Sequence, residues 1–327
     1  MYFLLIKKIL GGIGLLFLIA TFNFSIIRLM PGDAVVNVLG ESEYYRLVVE
    51  NPERIEELKV KFGLDKTIGQ QYLLYLDDLI HLDFGYSYIN KQSVWDYVTY
   101  HLKWTILLSV PTVFLSALIG GFLGLWCGWH SSGKLDRVLT PIALFLHTVP
   151  SNFVSILFLI VFSYRLKWFP LSGMTSGGLH GMQKILDVIW HMLLPLFILV
   201  LFRTGGNILH MKSYSSRVRN EEYIITAIAK GIPENRVMMR HGLKNVALPY
   251  LTLICMQLGH LLSGSMMIEV VFSWQGMGML MYNAAQNKDY PVLQLGLLLI
   301  SACVIIFNLL SDVLNLLIDP RIREEVG

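Results

Sequence analysis

Six runs of apolar residues, each long enough to cross a lipid bilayer, constrain this chain more than any motif it carries. They lie at about Ile9–Leu29, Thr105–Trp129, Leu139–Tyr164, Met192–His210, Ala247–Val271 and Val292–Ile318. A transmembrane helix needs roughly 20 mostly apolar residues, so the expectation is an all-α membrane protein with six transmembrane helices. Composition agrees: 54% of the 327 residues are hydrophobic and only 15% are charged, where a soluble domain carries about a quarter. The first run has the position of a secretory signal, but it is longer than a typical signal core and no clear small-residue cleavage site follows. It reads as a retained anchor within residues 1–30.

Lysine and arginine in short loops set the orientation of such a chain. Lys7 and Lys8 precede the first run, and Lys134 and Arg137 separate the second from the third. Lys212, Arg217, Arg219, Lys230, Arg236, Arg240 and Lys244 follow the fourth, and Arg321 with Arg323 follow the sixth. All fall on one side of six alternating helices, which makes that side the cytoplasm and places both termini there. The long segment 31–103 on the other side also holds basic residues, but long loops count little in this rule. Trp104, Trp129, Trp168 and Trp190 lie near the ends of the runs, as interfacial anchors do. The net charge of +3 is too small to point to nucleic acid as a partner. Cys127, Cys255 and Cys303 sit inside apolar runs with no CxxC spacing, which fits buried thiols rather than a disulfide framework or zinc site. No cofactor is expected.

At about seventy residues, the extracytoplasmic segment is too long for plain loop. Asn51–Phe62 reads as an amphipathic helix of mixed charge. Gln70–Ile80 reads as a second, with Tyr72, Leu73, Leu76 and Leu79 at helical spacing. Asp83-Phe84-Gly85 marks a turn before Val94–His101, an approach helix to the second span. The result is an ordered helical cap, either a cover over the spans or a docking surface for a delivery protein.

Between the fourth and fifth runs lies a polar, basic stretch of helix formers, Glu222–Pro249. Glu222 suits a helix N-terminus, and Gly231 stands where a glycine beyond the last helical residue permits a left-handed turn. Pro233 suits the first position of a second helix, and Arg236, Arg240 and Lys244 recur four residues apart. Two short helices joined by a sharp turn would form a knob, with Ala227 and Ala229 leaving room for a partner's groove. A solvated basic loop is the plainer reading.

Here the chain resembles a permease subunit of a binding-protein-dependent ABC importer, in the dipeptide, oligopeptide and nickel branch. The loop is similar to that branch's EAA coupling motif through Tyr223, Thr226-Ala227, Ala229-Lys230-Gly231, Arg240-His241, Asn245 and Pro249. Ile225 holds the place of the motif's glutamate, Pro233 that of a usual capping serine, and Arg217 that of a common acidic residue. Further matches are Pro31-Gly32-Asp33, Phe62-Gly63-Leu64-Asp65 before Gln71-Tyr72, and Asp83-Phe84-Gly85-Tyr86-Ser87. Glu269-Val270-Val271-Phe272-Ser273-Trp274-Gln275-Gly276-Met277-Gly278 resembles the ExVFxxPGxG element, with Gln275 for its proline. Asp289-Tyr290-Pro291 and Asp319-Pro320-Arg321 complete a resemblance that covers essentially the whole chain.

The resemblance implies a type I ABC importer permease fold and, from the long segment after the first span, the first of two permeases. It implies a heterodimer with a second, homologous permease, two cytoplasmic ABC ATPases, and an extracytoplasmic substrate-binding protein in a bacterial plasma membrane. A core over residues 104–318 would hold five spans and a coupling loop at 212–246, ahead of a cytoplasmic tail at 319–327. Tyr223, Thr226, Ala227, Ala229, Lys230, Gly231, Arg236 and Arg240 would contact the ATPase. The cargo is a di- or oligopeptide, or alternatively nickel or a metal chelate.

Two other classes fit less well. An ion-coupled transporter keeps ionisable relays deep in the membrane, whereas Glu269 and Asp312 lie towards span ends. Arg203, within the fourth run, is the exception. It faces a cavity and binds a substrate carboxylate, or snorkels to the interface. Gln257, His260, Ser263 and Ser265 are further candidates for the translocation route. A membrane enzyme has little support: His147, His180, His191, His210 and His260 show no HExxH spacing. No phosphate-binding GxxxxGK[ST] loop is present, so the chain is not its own motor. The 14 methionines follow apolar faces and read as packing.

Overall fold

The first span is a single helix, α1 (Tyr2–Leu29). The computed structural model describes residues 2–29, 36, 41–61, 65–263 and 265–318. The sequence elements Pro31-Gly32-Asp33, Phe62-Gly63-Leu64 and Asp319-Pro320-Arg321, with the tail at 319–327, lie outside the described residues. Three short helices follow α1: α2 (Glu41–Glu50), α3 (Pro52–Lys61) and α4 (Ile68–Ile80). The second and third of these were expected, and α2 was not. A full capping box starts α4, in which Thr67 accepts from the Gln70 amide and the Gln70 side chain accepts from the Thr67 amide.

The second span, α5 (Val94–Trp129), runs unbroken for 36 residues. The separate approach helix at Val94–His101 is therefore corrected to its first two turns. Ser93 caps it, Asp96 lies in its first turn, and no glycine or proline separates His101 from Thr105. The third span is not one helix. α6 (Lys134–Thr148) and α7 (Ser151–Phe158), which widens into a π-helix over Leu159–Arg165, meet at 97°. Pro150 causes the break, because a residue before proline is driven out of helical geometry, and Val149 has an extended ψ of 132°.

The fourth span, α8 (Gly181–Arg219), is 39 residues long, so Lys212 and Arg217 sit on a helix rather than in a loop. Two short helices follow, α9 (Glu222–Ala229) and α10 (Glu234–Val237). A π-helical stretch, Met238–Gly242, leads from α10 into α11 (Leu243–Gly259). The fifth run, expected to be continuous from Ala247 to Val271, ends as a helix at Gly259. It resumes as α12 (Met266–Val271), and α13 (Met277–Gln286) follows. The sixth span is α14 (Tyr290–Ile318). Among the described residues, four helices are thus long and apolar enough to cross a membrane as single rods and the bent α6–α7 pair makes up to five, while the fifth expected span is shortened and broken. Among the described residues there is no strand, only one isolated bridge between Tyr86 and Ser93.

The largest helix–helix interface joins α5 to α8. Gly120, Gly124 and Gly128 form a stripe one residue wide on α5. A β-carbon on Gly124 would sit 2.6 Å from the Ile208 carbonyl oxygen, and one on Gly128 2.4 Å from that of Lys212. Without a hydrophobic drive between helices in lipid, such small-residue seams let backbones approach and pack. Thr112 and Ser116 continue the stripe and are buried. At the basic end of the molecule Lys212 bonds to Asp136 at 2.5 Å and donates to Thr140, tying α8 to α6. α1 packs along α14, where Gly12 meets Ile305 and Lys8 pairs with Asp312 at 2.6 Å.

Candidate functional site

The loop between α8 and α11 is a folded knob at the basic end. α9 stops at Lys230, and Gly231 follows with φ of +81°. The Gly231 amide donates to the Ile228 carbonyl at 2.9 Å and the Ile232 amide to that of Ala227 at 3.4 Å. That pair of bonds is a Schellman motif, which requires the left-handed residue that glycine supplies. Pro233 has ψ of 131° and caps α10 from outside, so its expected place as the first helical residue is corrected by one position.

Inward, Ile224 and Val237 are fully buried against Leu125, Trp129, Met211, Met238, Val246 and Tyr250. Gly242 lies under the Trp129 ring, where a β-carbon would approach Cζ3 to 2.4 Å. Arg219 Nη2 donates to Glu234 Oε1 at 3.1 Å, joining the end of α8 to α10. The knob is thereby seated on α5, α8 and α11 together.

Outward, it shows an apolar surface. Tyr223, Ile225, Ile228 and Met239 are 45%, 56%, 38% and 50% exposed. Thr226, Ala229, Lys230, Gly231, Arg236 and Arg240 are exposed around them. Ala227 differs from expectation: it is half-buried and leans on the inner cluster, so it supports the knob's own packing. Partial burial, then the charge of Glu221, pushes the Tyr223 phenol above its ordinary range and keeps it a hydrogen-bond donor. The π-helical stretch between Arg236 and Lys244 interrupts the regular four-residue spacing of the three basic residues, all of which remain exposed.

The route candidates lie farther up the molecule. Gln257 donates through Nε2 to Asn207 Oδ1 at 2.6 Å, and Asn207 donates through Nδ2 to Ser116 Oγ at 3.3 Å. Three helices are thus bridged by a polar chain in an apolar surrounding. Asn207 was missed in the sequence, where a lone asparagine in an apolar run shows no partner. Arg203 is half-buried one turn before Asn207, and no hydrogen bond or ion pair reaches it from the described residues. His260 closes α11, and Ser263 Oγ lies 3.5 Å from the His260 carbonyl, both exposed in the break after Gly259. Ser265, also named for the route, is instead buried.

Two sequence motifs at the far end turn out to be knots. Glu269, fully buried, accepts from Thr105 Oγ1 at 2.8 Å, Ser265 Oγ at 2.8 Å, the Gly278 amide at 2.7 Å and the Met279 amide at 3.2 Å. Its carboxylate caps α13, which explains the glutamate and the glycines of that motif in one stroke. Asp289 accepts from Ser87 Oγ at 2.5 Å and the Tyr88 amide at 3.1 Å, fastening the turn that follows Asp83 to the start of α14.

Comparison with known proteins matches both ends of the chain to one transport family. Residues 120–324 match the model described as binding-protein-dependent transport system inner membrane component, and residues 1–109 match the corresponding N-terminal model. The dipeptide transport system permease of Escherichia coli K12 is 31% identical over 326 residues, covering 94% of each chain. The oligopeptide transport system permease of Bacillus subtilis 168 is 30% identical, covering 98% of each. The di/tripeptide transport system permease of Pseudomonas aeruginosa is 30% identical, covering 93% of each. A multi-pass helical chain with a seated knob between its fourth and fifth spans, matched over nearly its whole length, belongs to the permease family of binding-protein-dependent ABC importers, in which ATP hydrolysis resides in separate subunits.

Proposed function

We propose that this chain forms half of the translocation pathway of an importer of di- or oligopeptides. The observation that carries the reading is the knob: its inner face is locked into three membrane helices while its outer face presents Tyr223, Ile225, Ile228 and Met239 to a partner. Exposed aromatic and large aliphatic side chains on a rigid support are what a stable protein contact uses. The partner is an ABC ATPase, one of two on the cytoplasmic side, and both termini of the chain lie on that same side. A second, homologous permease completes the pathway as a heterodimer, and a substrate-binding protein delivers cargo to the opposite face, where residues 41–61 and 65–92 lie. Peptides as cargo are supported by the similarity to dipeptide, di/tripeptide and oligopeptide permeases over more than nine-tenths of their length.

The test is uptake in cells lacking this gene, with labelled di- and oligopeptides set beside labelled nickel, free and chelated. Loss of peptide uptake, restored by the gene, is the expected result. Loss confined to nickel would replace the cargo while leaving the transport role.

A further inference from the structure

Among the described residues, Arg203 is a charge without a counter-charge. It lies on α8 in an apolar surrounding, 16 residues before the helix ends at Arg219. An unpaired guanidinium inside a membrane span costs several kcal/mol and persists when it faces a polar cavity or a ligand. The buried carboxylates of the described residues are otherwise engaged. Asp136 holds Lys212, Glu269 holds Thr105 and Ser265, and Asp289 holds Ser87. Asp312, half-exposed, pairs with Lys8.

Snorkelling to the nearer, basic end is disfavoured by helix geometry. Side chains on a helix lean towards its N-terminus, and α8 runs towards the basic end, so Arg203 leans away from it. Gly206 and Asn207, three and four residues on, share its face. The space above Gly206 is bounded by His147 Nδ1, which a β-carbon there would approach to 3.5 Å. Asn207 carries the bond from Gln257, whose own Oε1 is buried and has no partner. The turn of α8 that follows Arg203 therefore meets α6 at Gly206 and α11 at Asn207. Arg203 stands one helical turn before Asn207, the residue to which Gln257 is bonded.

We propose that Arg203 binds the free C-terminal carboxylate of the peptide in transit. The inference rests on the peptide reading above and adds to it the chemical group that the membrane pathway itself reads. A planar guanidinium grips a carboxylate through two parallel bonds, and such a ligand supplies the counter-charge that Arg203 lacks among the described residues.

The experiment uses the assembled importer, with both permeases, both ATPases and the binding protein, in proteoliposomes. Uptake of one labelled dipeptide is compared with that of its C-terminal amide, for wild type, Arg203→Gln and Arg203→Lys. Arg203→Gln should lower uptake of the free acid by about 10- to 100-fold, the range for losing a charged hydrogen bond, and leave the slower uptake of the amide nearly unchanged. Arg203→Lys should recover part of the difference, and because it keeps the charge it carries the acid-against-amide comparison should the glutamine variant fail to assemble. Equal loss of acid and amide uptake in assembled complexes, or no loss of either, overturns the proposal. A wild-type importer that moves no peptide overturns the peptide reading itself, and the proposal with it.

Discussion

Single glycines decide how two of the motifs are built, and each makes a different demand. Gly231 needs conformation: its φ is +81° and no atom lies within 4 Å of a β-carbon built there. Bulk alone is not excluded by the fold, so Gly231→Asn, which tolerates the left-handed region, should retain more transport than Gly231→Val, whose branched side chain does not. Peptide uptake per ATP hydrolysed checks this ordering, and equal activity of the two variants would refute it. Gly276 needs space instead. A β-carbon there would lie 2.4 Å from Thr105 Oγ1 and 2.5 Å from Glu269 Oε2, in the knot that caps α13. Gly276→Ala should destabilise the chain by about 1–3 kcal/mol through overpacking. Gly11→Ala, where nothing lies within 4 Å, is the neutral control. Thermal unfolding of the two detergent-solubilised variants, run side by side, gives the comparison.

Between elements, the α5–α8 seam and the Asp289 knot hold the fold, and they differ in what they secure. Gly124→Ile should force α5 from α8 along their whole contact, because the Ile208 backbone and Met211 occupy the added volume. The expected outcome is loss of folded, detergent-stable protein by size-exclusion chromatography. Asp289→Ala leaves the spans intact but removes the acceptor of Ser87 Oγ and the Tyr88 amide. Faster hydrogen exchange at residues 85–90, with α5 and α8 unchanged, is the predicted signature. At this scale the sequence was partly legible. Apolar runs disclosed where spans lie, and Gly231 disclosed the turn of the knob, since both depend on local chemistry. The breaks at Val149 and Gly259 were not read, although Pro150 was in view, because hydropathy averages across a bend. The widened turns at Leu159–Arg165 and Met238–Gly242 leave no compositional mark at all. The polar chain Ser116–Asn207–Gln257 was also beyond reach, because its partners come from three helices and only folding places them together.

Across the whole molecule, the knob and the polar chain lie on the same two helices. α8 carries Arg203 and Asn207 midway and delivers Arg219 to Glu234 at its end, while α11 begins at the π-helical stretch of the knob and ends near Gln257. A displacement of the knob would therefore move both partners of the Asn207–Gln257 bond at once, with Trp129 above Gly242 as the bearing on α5. The outer face of the knob can be tested apart from this linkage, because Tyr223 and Ile225 are about half exposed and lie outside the inner cluster. The double change Tyr223→Ala and Ile225→Ala should leave thermal stability within about 0.5 kcal/mol, as surface substitutions do. It should weaken ATPase association by about 10-fold or more, the scale of losing a large interface side chain. Co-purification of the ATPases with the permease, and their stimulation by peptide-loaded binding protein, should fall together. Undiminished association would remove the knob as the coupling surface, whereas association lost along with thermal stability would mean that these side chains support the fold. Loss of association at unchanged stability is the outcome that a seated lever requires.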